Sequence, residues 1–367
     1  MISINAPQID ENEIKAVVNV LKSGALTHGT GAGPMVTEFE KSFADFAKTK
    51  HAVAVNTGTA ALHASLAVAG IKAGDEVIVP SFTFVATAEV VVMLGAKPVF
   101  VDIDPNTYNI DPRLIEKVVT KKTKAVIPVD LYGLCADVPQ IRKIADKHNL
   151  VVIEDAAQAH GAICGGKPPG AFADAACWSF YASKNMTTGE GGMVTTNNDE
   201  FAEKLRWLRS HGEKVKYESL MLGYNYHMPE IAAAIGVSQI KKLPKFIAKR
   251  RRNAKKITEK LGKSKELRLP TEPKGFKSGW YLYTVRLQGA RKEKRDKLVA
   301  ELKKSGIGAE IYYVHPIHLM AYYSKFGKYK LPETEKASKQ VFSLPVHPGV
   351  TPKQLDFIAD TVLGLLK

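Results

Sequence analysis

Between residues 51 and 155 the chain alternates short β-branched runs with helix-patterned stretches, and that alternation leaves few ways to fold. Val77-Ile78-Val79 precedes a helical stretch from about Thr83 to Leu94. Pro98 to Val101 leads through Asp102 to a helix opened by Asp111-Pro112, where proline suits the first turn. Ala125-Val126-Ile127 precedes a helix from about Val138 to His148, and Leu150 to Ile153 is an apolar run that ends abruptly in Glu154-Asp155. Such units imply an α/β fold, a mostly parallel sheet with right-handed crossovers and helices on both faces. A long helix is expected from about Pro229 towards Leu261, and Leu269 to Gly275 reads as a loop. Tyr281 to Leu287 alternates like a half-buried strand, followed by helices and a further strand near Gly308 to Ile311, so a small C-terminal α+β domain is expected. At ~150 residues per domain, 367 residues with 45% hydrophobic content suggest two domains, a large one at 1–245 and a small one at 246–367.

Composition narrows the classes of function. The 3 cysteines, Cys135, Cys164 and Cys177, are widely spaced, which argues for a reducing compartment and against a disulfide framework or a zinc site. The first residues lack the pattern of a signal peptide, and no run of ~18 apolar residues occurs, so a soluble cytoplasmic protein without a membrane partner is expected. The net charge of +15 invites a nucleic-acid surface at Lys241 to Lys245, Lys249 to Arg252 and Arg291 to Arg295. Apolar residues interleave these runs at helical spacing, as on the wet face of an ordinary helix, so no nucleic-acid partner is expected. A positive field that draws in a dianionic substrate is the milder use.

The residues that carry chemistry lie along the sheet. Lys184, in Ser179-Phe180-Tyr181-Ala182-Ser183-Lys184-Asn185, follows a mostly apolar strand and precedes Gly189-Glu190-Gly191-Gly192. An amine so placed can be desolvated and can form a Schiff base with an aldehyde, although by type alone any of 52 Lys+Arg is expected to be a solvated charge. Asp155 ends its strand where open α/β sheets bind ligands. A carboxylate there can keep a pyridine nitrogen protonated, and it can equally cap a helix. His51 to Val55 reads as a strand turned by Asn56-Thr57-Gly58-Thr59 into an alanine-rich helix. Gly58, Thr59 and Ala60 would then offer backbone N–H groups to a phosphate, although Thr-Gly-Thr is also an ordinary helix start. Together these point to a pyridoxal phosphate enzyme.

In order along the chain, Thr57 to Leu62, Pro80 to Phe84, Glu154 to Gly161, Ser179 to Asn185, Gly189 to Gly192 and Gly223-Tyr224-Asn225-Tyr226 resemble the DegT/DnrJ/EryC1/StrS nucleotide-sugar aminotransferases, which are fold type I pyridoxal phosphate enzymes. The resemblance runs from about Ser23 to the C-terminus. It implies that Lys184 holds the cofactor as an internal aldimine and later shuttles a proton, and that Asp155 pairs with the pyridinium. It implies that Gln158 bonds the ring hydroxyl, that Phe84 stacks on the ring, and that Gly58, Thr59, Ala60 and Ser179 hold the phosphate. Asn225 matches a residue that reaches the phosphate of a neighbouring subunit, which implies a homodimer with shared active sites. Tyr313 and His318 match a segment that faces the sugar. The implied reaction moves an amino group from a donor, expected to be glutamate, through pyridoxamine phosphate to a keto group of a nucleotide-linked sugar, as in polysaccharide biosynthesis.

The residues alone read some of these positions differently. Phe84 would be a core residue of the helix beginning near Thr83, and Gly223 to Tyr226 a plain loop. His315 and His318 lack the acidic companions of a metal site, so no metal is expected. Three departures bear on the substrate: His227 where the family often has arginine, Asp130 where many members have histidine, and the glycine-rich run Thr27 to Pro34. A pyridoxamine-dependent sugar dehydratase on the same scaffold would lack the lysine, so Lys184 argues against it. A noncatalytic basic binding protein is the alternative from another class.

Overall fold

In the computed structural model, which describes residues 1–366, 7 strands form the central sheet. Their order is His51–Val55, Gly192–Thr196, Ala175–Ser179, Val151–Asp155, Thr123–Val126, Glu76–Pro80 and Lys97–Val101. Gly192–Thr196 runs antiparallel to both neighbours, and the other adjacent pairs are parallel. The parallel strands are buried along nearly their whole length, as expected of a sheet covered on both faces.

Helix Gly58–Val68 is apolar all round, and its residues Ala60 to Leu66 are buried. A helix of that kind belongs inside a core. Its body packs on the strand Ala175–Ser179, while Thr57, Gly58 and Thr59 at its start are half-buried. Thr57 caps it by accepting the Ala60 N–H at 3.0 Å.

Helix Glu230–Leu261 runs through Pro244, so residues 245 and 246, where the two domains were expected to meet, lie within one helix. Towards one end it packs on helices Glu11–Ser23 and Pro34–Ala47, and it also packs on the C-terminal helix Pro352–Leu366. The C-terminal region is built on a small antiparallel sheet, Leu267–Arg268, Tyr283–Leu287 and Val341–Leu344. Lys367, the expected end of that domain, lies outside the described residues.

Two local expectations differ from the structure. The helix expected at Thr83 begins at Ala86, because Ser81 and Thr83 spend their hydroxyls on His318 and Thr87 while the chain bends between them. The strand expected at Gly308 to Ile311 is reduced to isolated bridges of Ile2 with Ile307 and Glu310 with Ser343. The basic stretch of the long helix is partly internal. Lys242 pairs with Glu13 at 2.5 Å, Arg250 is buried, and Arg251 binds the carbonyls of Ser278 and Gly161.

Candidate active site

Asp155 closes its strand with a side chain only 6% exposed. Its Oδ2 accepts the Thr87 hydroxyl at 2.9 Å and its Oδ1 accepts the Ala157 N–H at 3.2 Å. Burial pushes the carboxyl above its usual range, and the Thr87 hydroxyl, the Ala157 N–H and the positive charge of Lys184 pull it back. Lys184 is thus near enough to Asp155 to be felt electrostatically. The segment that follows the strand Thr123–Val126 supports this acid: Asp155 N–H donates to the Pro128 carbonyl at 2.8 Å, and the Asp155 carbonyl accepts the Asp130 N–H at 3.0 Å.

Lys184 lies in the turn after Ala175–Ser179, its N–H bonded to the Tyr181 carbonyl at 2.9 Å. Its ammonium stands over the Tyr281 ring, 4.5 Å from the centroid. The Tyr281 hydroxyl bonds Ser183 at 2.9 Å. Arg250, buried in the long helix, fixes this aromatic by donating to the carbonyls of Trp280 and Tyr281, both at 3.1 Å.

The phosphate cradle expected at Thr57 to Ala60 is only partly free. The Ala60 N–H already serves Thr57, which corrects the expectation that it is open. The N–H groups of Gly58 and Thr59 have no internal acceptor among the described residues. Ser179 stands against them so closely that a Cβ on Gly58 would lie 2.8 Å from Ser179 Cβ. A Cβ on Gly192 would lie 2.1 Å from the Thr57 carbonyl oxygen, so the strand end leaves no room for a side chain beneath the turn.

The aromatic wall also departs from the sequence reading. Phe84 is not a core residue: it is 56% exposed in the bend before its helix, with its ring 6.4 Å from that of Tyr313. Gln158 accepts the Tyr132 N–H at 2.8 Å and donates to the Tyr313 hydroxyl at 3.2 Å, which leaves one amide hydrogen unused. Burial lifts the Tyr313 hydroxyl far above its usual range, so it stays a neutral hydroxyl. His318, expected beside Tyr313, is turned away into the protein. It is buried, bonded through Nδ1 to Ser81 at 2.7 Å, with Nε2 3.6 Å from Glu335, and its geometry is that of a brace. Asn225 is exposed, and its backbone bridges Ser210.

Residues that the sequence reading did not assign to the centre support it: Thr87, Tyr281 and Arg250. Thr87 sits one helical turn after Thr83, which was a readable signal. The others act from elements far away in sequence. Glu230 accepts the N–H of Met35 at 2.7 Å and so fixes the glycine-rich run before Pro34. Asp130 is buried behind the centre. Asp130, Cys135 and Glu154 bring one oxygen or sulfur atom each within 4.8 Å of one another.

The donor set fits pyridoxal phosphate. A buried acid suits a protonated ring nitrogen, an amine beside it suits a carbonyl, and free N–H groups with a hydroxyl suit a phosphate at a helix start. The glycine cradle, which a Cβ would fill, points the same way. Among the described residues no helix is long and apolar enough to cross a membrane.

Comparison with known proteins agrees. The model of the DegT/DnrJ/EryC1/StrS aminotransferase family matches residues 7–363. GDP-perosamine synthase of Caulobacter vibrioides is 40% identical over 358 residues, covering 97% of this chain and 95% of the relative. UDP-2-acetamido-2-deoxy-3-oxo-D-glucuronate aminotransferase of Pseudomonas aeruginosa is 41% identical over 317 residues, covering 86% of each. The PMP-form of a candidate sugar aminotransferase from Streptococcus pneumoniae superposes with a TM-score of 0.94 at 30% identity, covering 99% of this chain and 97% of that one.

Proposed function

This chain belongs to the DegT/DnrJ/EryC1/StrS aminotransferase family, and from that premise we propose that it moves an amino group from glutamate to a keto group of a nucleotide-linked sugar, as a cytoplasmic homodimer with shared active sites. The cofactor of the family is pyridoxal phosphate. Bound here, it supplies a carbonyl that exchanges amino groups and a protonated ring that draws electrons from the neighbouring carbon. The names of the two relatives support the substrate class.

Each residue has a task at a stated atom. The N–H groups of Gly58 and Thr59 and the Ser179 hydroxyl hold the phosphate, with Asn225 of a second copy reaching the same group. Asp155 keeps the ring nitrogen protonated, and its bonds from Thr87 and Ala157 hold it in one orientation. Phe84 covers one face of the ring, and the spare Gln158 hydrogen meets the ring hydroxyl. Lys184 Nζ anchors the cofactor and then carries a proton between two carbons. Tyr313, with its hydroxyl held by Gln158, faces the sugar; His318 acts only by holding Ser81.

The observation that carries this reading is that Asp155 ends the strand paired with Ala175–Ser179, whose following turn holds Lys184, beside a helix start with unpaired N–H groups. Single-turnover mixing of the pyridoxamine-loaded protein with a panel of keto-sugar nucleotides tests it. The expected result is return of the cofactor's near-visible band with one or a few sugars. No return with any keto-sugar nucleotide, while a simple keto acid does restore it, would overturn the substrate class.

A further inference from the structure

Away from the Lys184 centre, the small C-terminal sheet sets Arg268 directly opposite Arg286 on antiparallel strands. Like charges facing each other across such a pair repel, so the arrangement favours an anion between or beside them. Arg286 is 7% exposed. Its Nε donates to Gln340 at 2.6 Å, and its Nη1 stays 3.8 Å from the Glu333 carboxylate. Glu333 is already engaged by Lys336 at 2.8 Å. Arg268 reaches only the Pro105 carbonyl, at 3.2 Å, and no carboxylate lies within ion-pair distance of it among the described residues.

These groups open onto a cavity of about 480 Å³, to which Asn106 and Gln288 add neutral amides. Its lining holds 3 cations, Arg268, Arg286 and Lys336, against 1 carboxylate, Glu333. We propose that this cavity, at the seam between the loop after Lys97–Val101 and the C-terminal region, binds a phosphate-bearing dianion. Guanidinium forks match phosphate oxygens, and a partner of charge near −2 neutralises the lining. The ligand is either inorganic phosphate or pyrophosphate, or the diphosphate of a nucleotide. The site is independent of the catalytic reading.

Calorimetric titration of the cofactor-loaded protein with phosphate, pyrophosphate and a nucleoside diphosphate tests it: the cofactor then fills the catalytic cradle, and nucleotide held at the substrate site is the part of the binding that Arg268→Gln and Lys336→Gln leave unchanged. Arg268→Gln and Lys336→Gln change partly or fully exposed side chains, and circular dichroism confirms that both fold. The expected result is binding by the unaltered protein that weakens with added salt and falls roughly ten-fold in each variant, the loss of one charge-assisted hydrogen bond. A fall confined to the inorganic ions identifies those as the ligand, and a fall confined to the nucleoside diphosphate identifies the nucleotide. Equal affinity in the unaltered protein and both variants for all three probes overturns the proposal.

Discussion

The ammonium of Lys184 lies 4.5 Å from the centroid of the Tyr281 ring, while the hydroxyl of that ring bonds Ser183, the residue just before the lysine. One tyrosine therefore holds the lysine from two directions, through the face of its ring and through the backbone of the lysine's own turn. Tyr281 is in turn fixed by Arg250 from the long helix. The C-terminal region thereby sets the position of an amine that belongs to the central sheet.

This arrangement separates two substitutions. Tyr281→Phe keeps the ring under the ammonium and loses only the bond to Ser183, so kcat is expected to fall about two- to five-fold. Tyr281→Leu also removes the cation–π contact, worth about 0.5–2 kcal/mol, and the fall should be roughly ten-fold or more. Steady-state kinetics on both variants checks the order; equal activities would assign Tyr281 no part in holding Lys184.

Lys184→Ala and Asp155→Asn should differ in kind. Without the amine, the protein is expected to lose the near-visible band of the bound cofactor, and turnover should drop by about 10²–10⁴ through lost proton transfer alone. Asp155→Asn leaves an oxygen to accept the Thr87 hydroxyl, so the cofactor should still bind. Turnover should fall because the ring nitrogen loses its anionic partner, whereas stability should hold or rise, since burial already disfavours a charge there. Absorbance, kcat and urea unfolding of the two variants read these effects separately.

The cradle predicts its own failure. Gly58→Ala forces a Cβ to within 2.8 Å of Ser179 Cβ, and Gly192→Ala forces one to 2.1 Å from the Thr57 carbonyl. Overpacking of this kind costs about 1–3 kcal/mol. Gly192→Ala should cost more stability, because rigid backbone cannot step aside, while Gly58→Ala should act first on cofactor affinity. Thermal unfolding and cofactor titration of each variant check the split.

The sheet was readable in the sequence because parallel strands buried on both faces are continuous apolar runs, and Val151–Asp155 is the plainest. Gly192–Thr196 is less plain, since Thr195 and Thr196 break the apolar run, and only pairing on both sides reveals it as a strand. Lys184, Asp155 and Gly58 were legible because each sits at a strand end where backbone geometry decides what a side chain can do. Tyr281 and Arg250 were not, because Tyr281 meets the lysine, and Arg250 meets Tyr281, by tertiary packing across about 100 and about 30 residues of chain, which no local periodicity encodes. His318 misled for a related reason. Its neighbour Tyr313 reaches the centre, but a 3-10 turn at Ile317–Leu319 points the histidine at Ser81 instead.

Asp130 and Glu154 predict an unusual pH dependence of stability. Asp130 Oδ2 is buried with no conventional donor facing it, and Glu154 takes the Gly170 N–H at 2.5 Å. Two carboxyls this close and this buried share a proton. Burial lifts Glu154 to about 7, and burial with the neighbouring carboxylates lifts Asp130 well above its usual range. Above the ordinary carboxylate range the folded pair keeps a proton that the unfolded chain has released, so stability falls as pH rises. The slope is about 1.4 kcal/mol per pH unit for each proton so retained, and it eases once pH passes about 7, where Glu154 ionises in the folded protein while Asp130 still holds its proton. Asp130→Asn removes the like charge and offers Glu154 a donor, so the slope should flatten. Urea midpoints between pH about 5 and about 8 decide it, and an unaltered slope in the variant would show that the proton is not shared.

The proposed shared site leads to a mixing experiment. Asn225 is exposed on its own chain, and Leu220 and Leu222 beside it are 63% and 76% exposed, an apolar edge suited to a second copy. If Asn225 reaches the phosphate in the partner's centre, Lys184→Ala and Asn225→Ala damage opposite members of each site. In a mixed dimer one site then carries both lesions and the other carries neither. Unfolding and refolding the two variants together at equal amounts gives half mixed dimers, each with one intact site of two, so roughly a quarter of full activity should return. Asn225→Ala alone should retain its near-visible band with weaker cofactor binding. No recovery on mixing, with mixed dimers present by mass, would place all of the catalytic groups within a single chain.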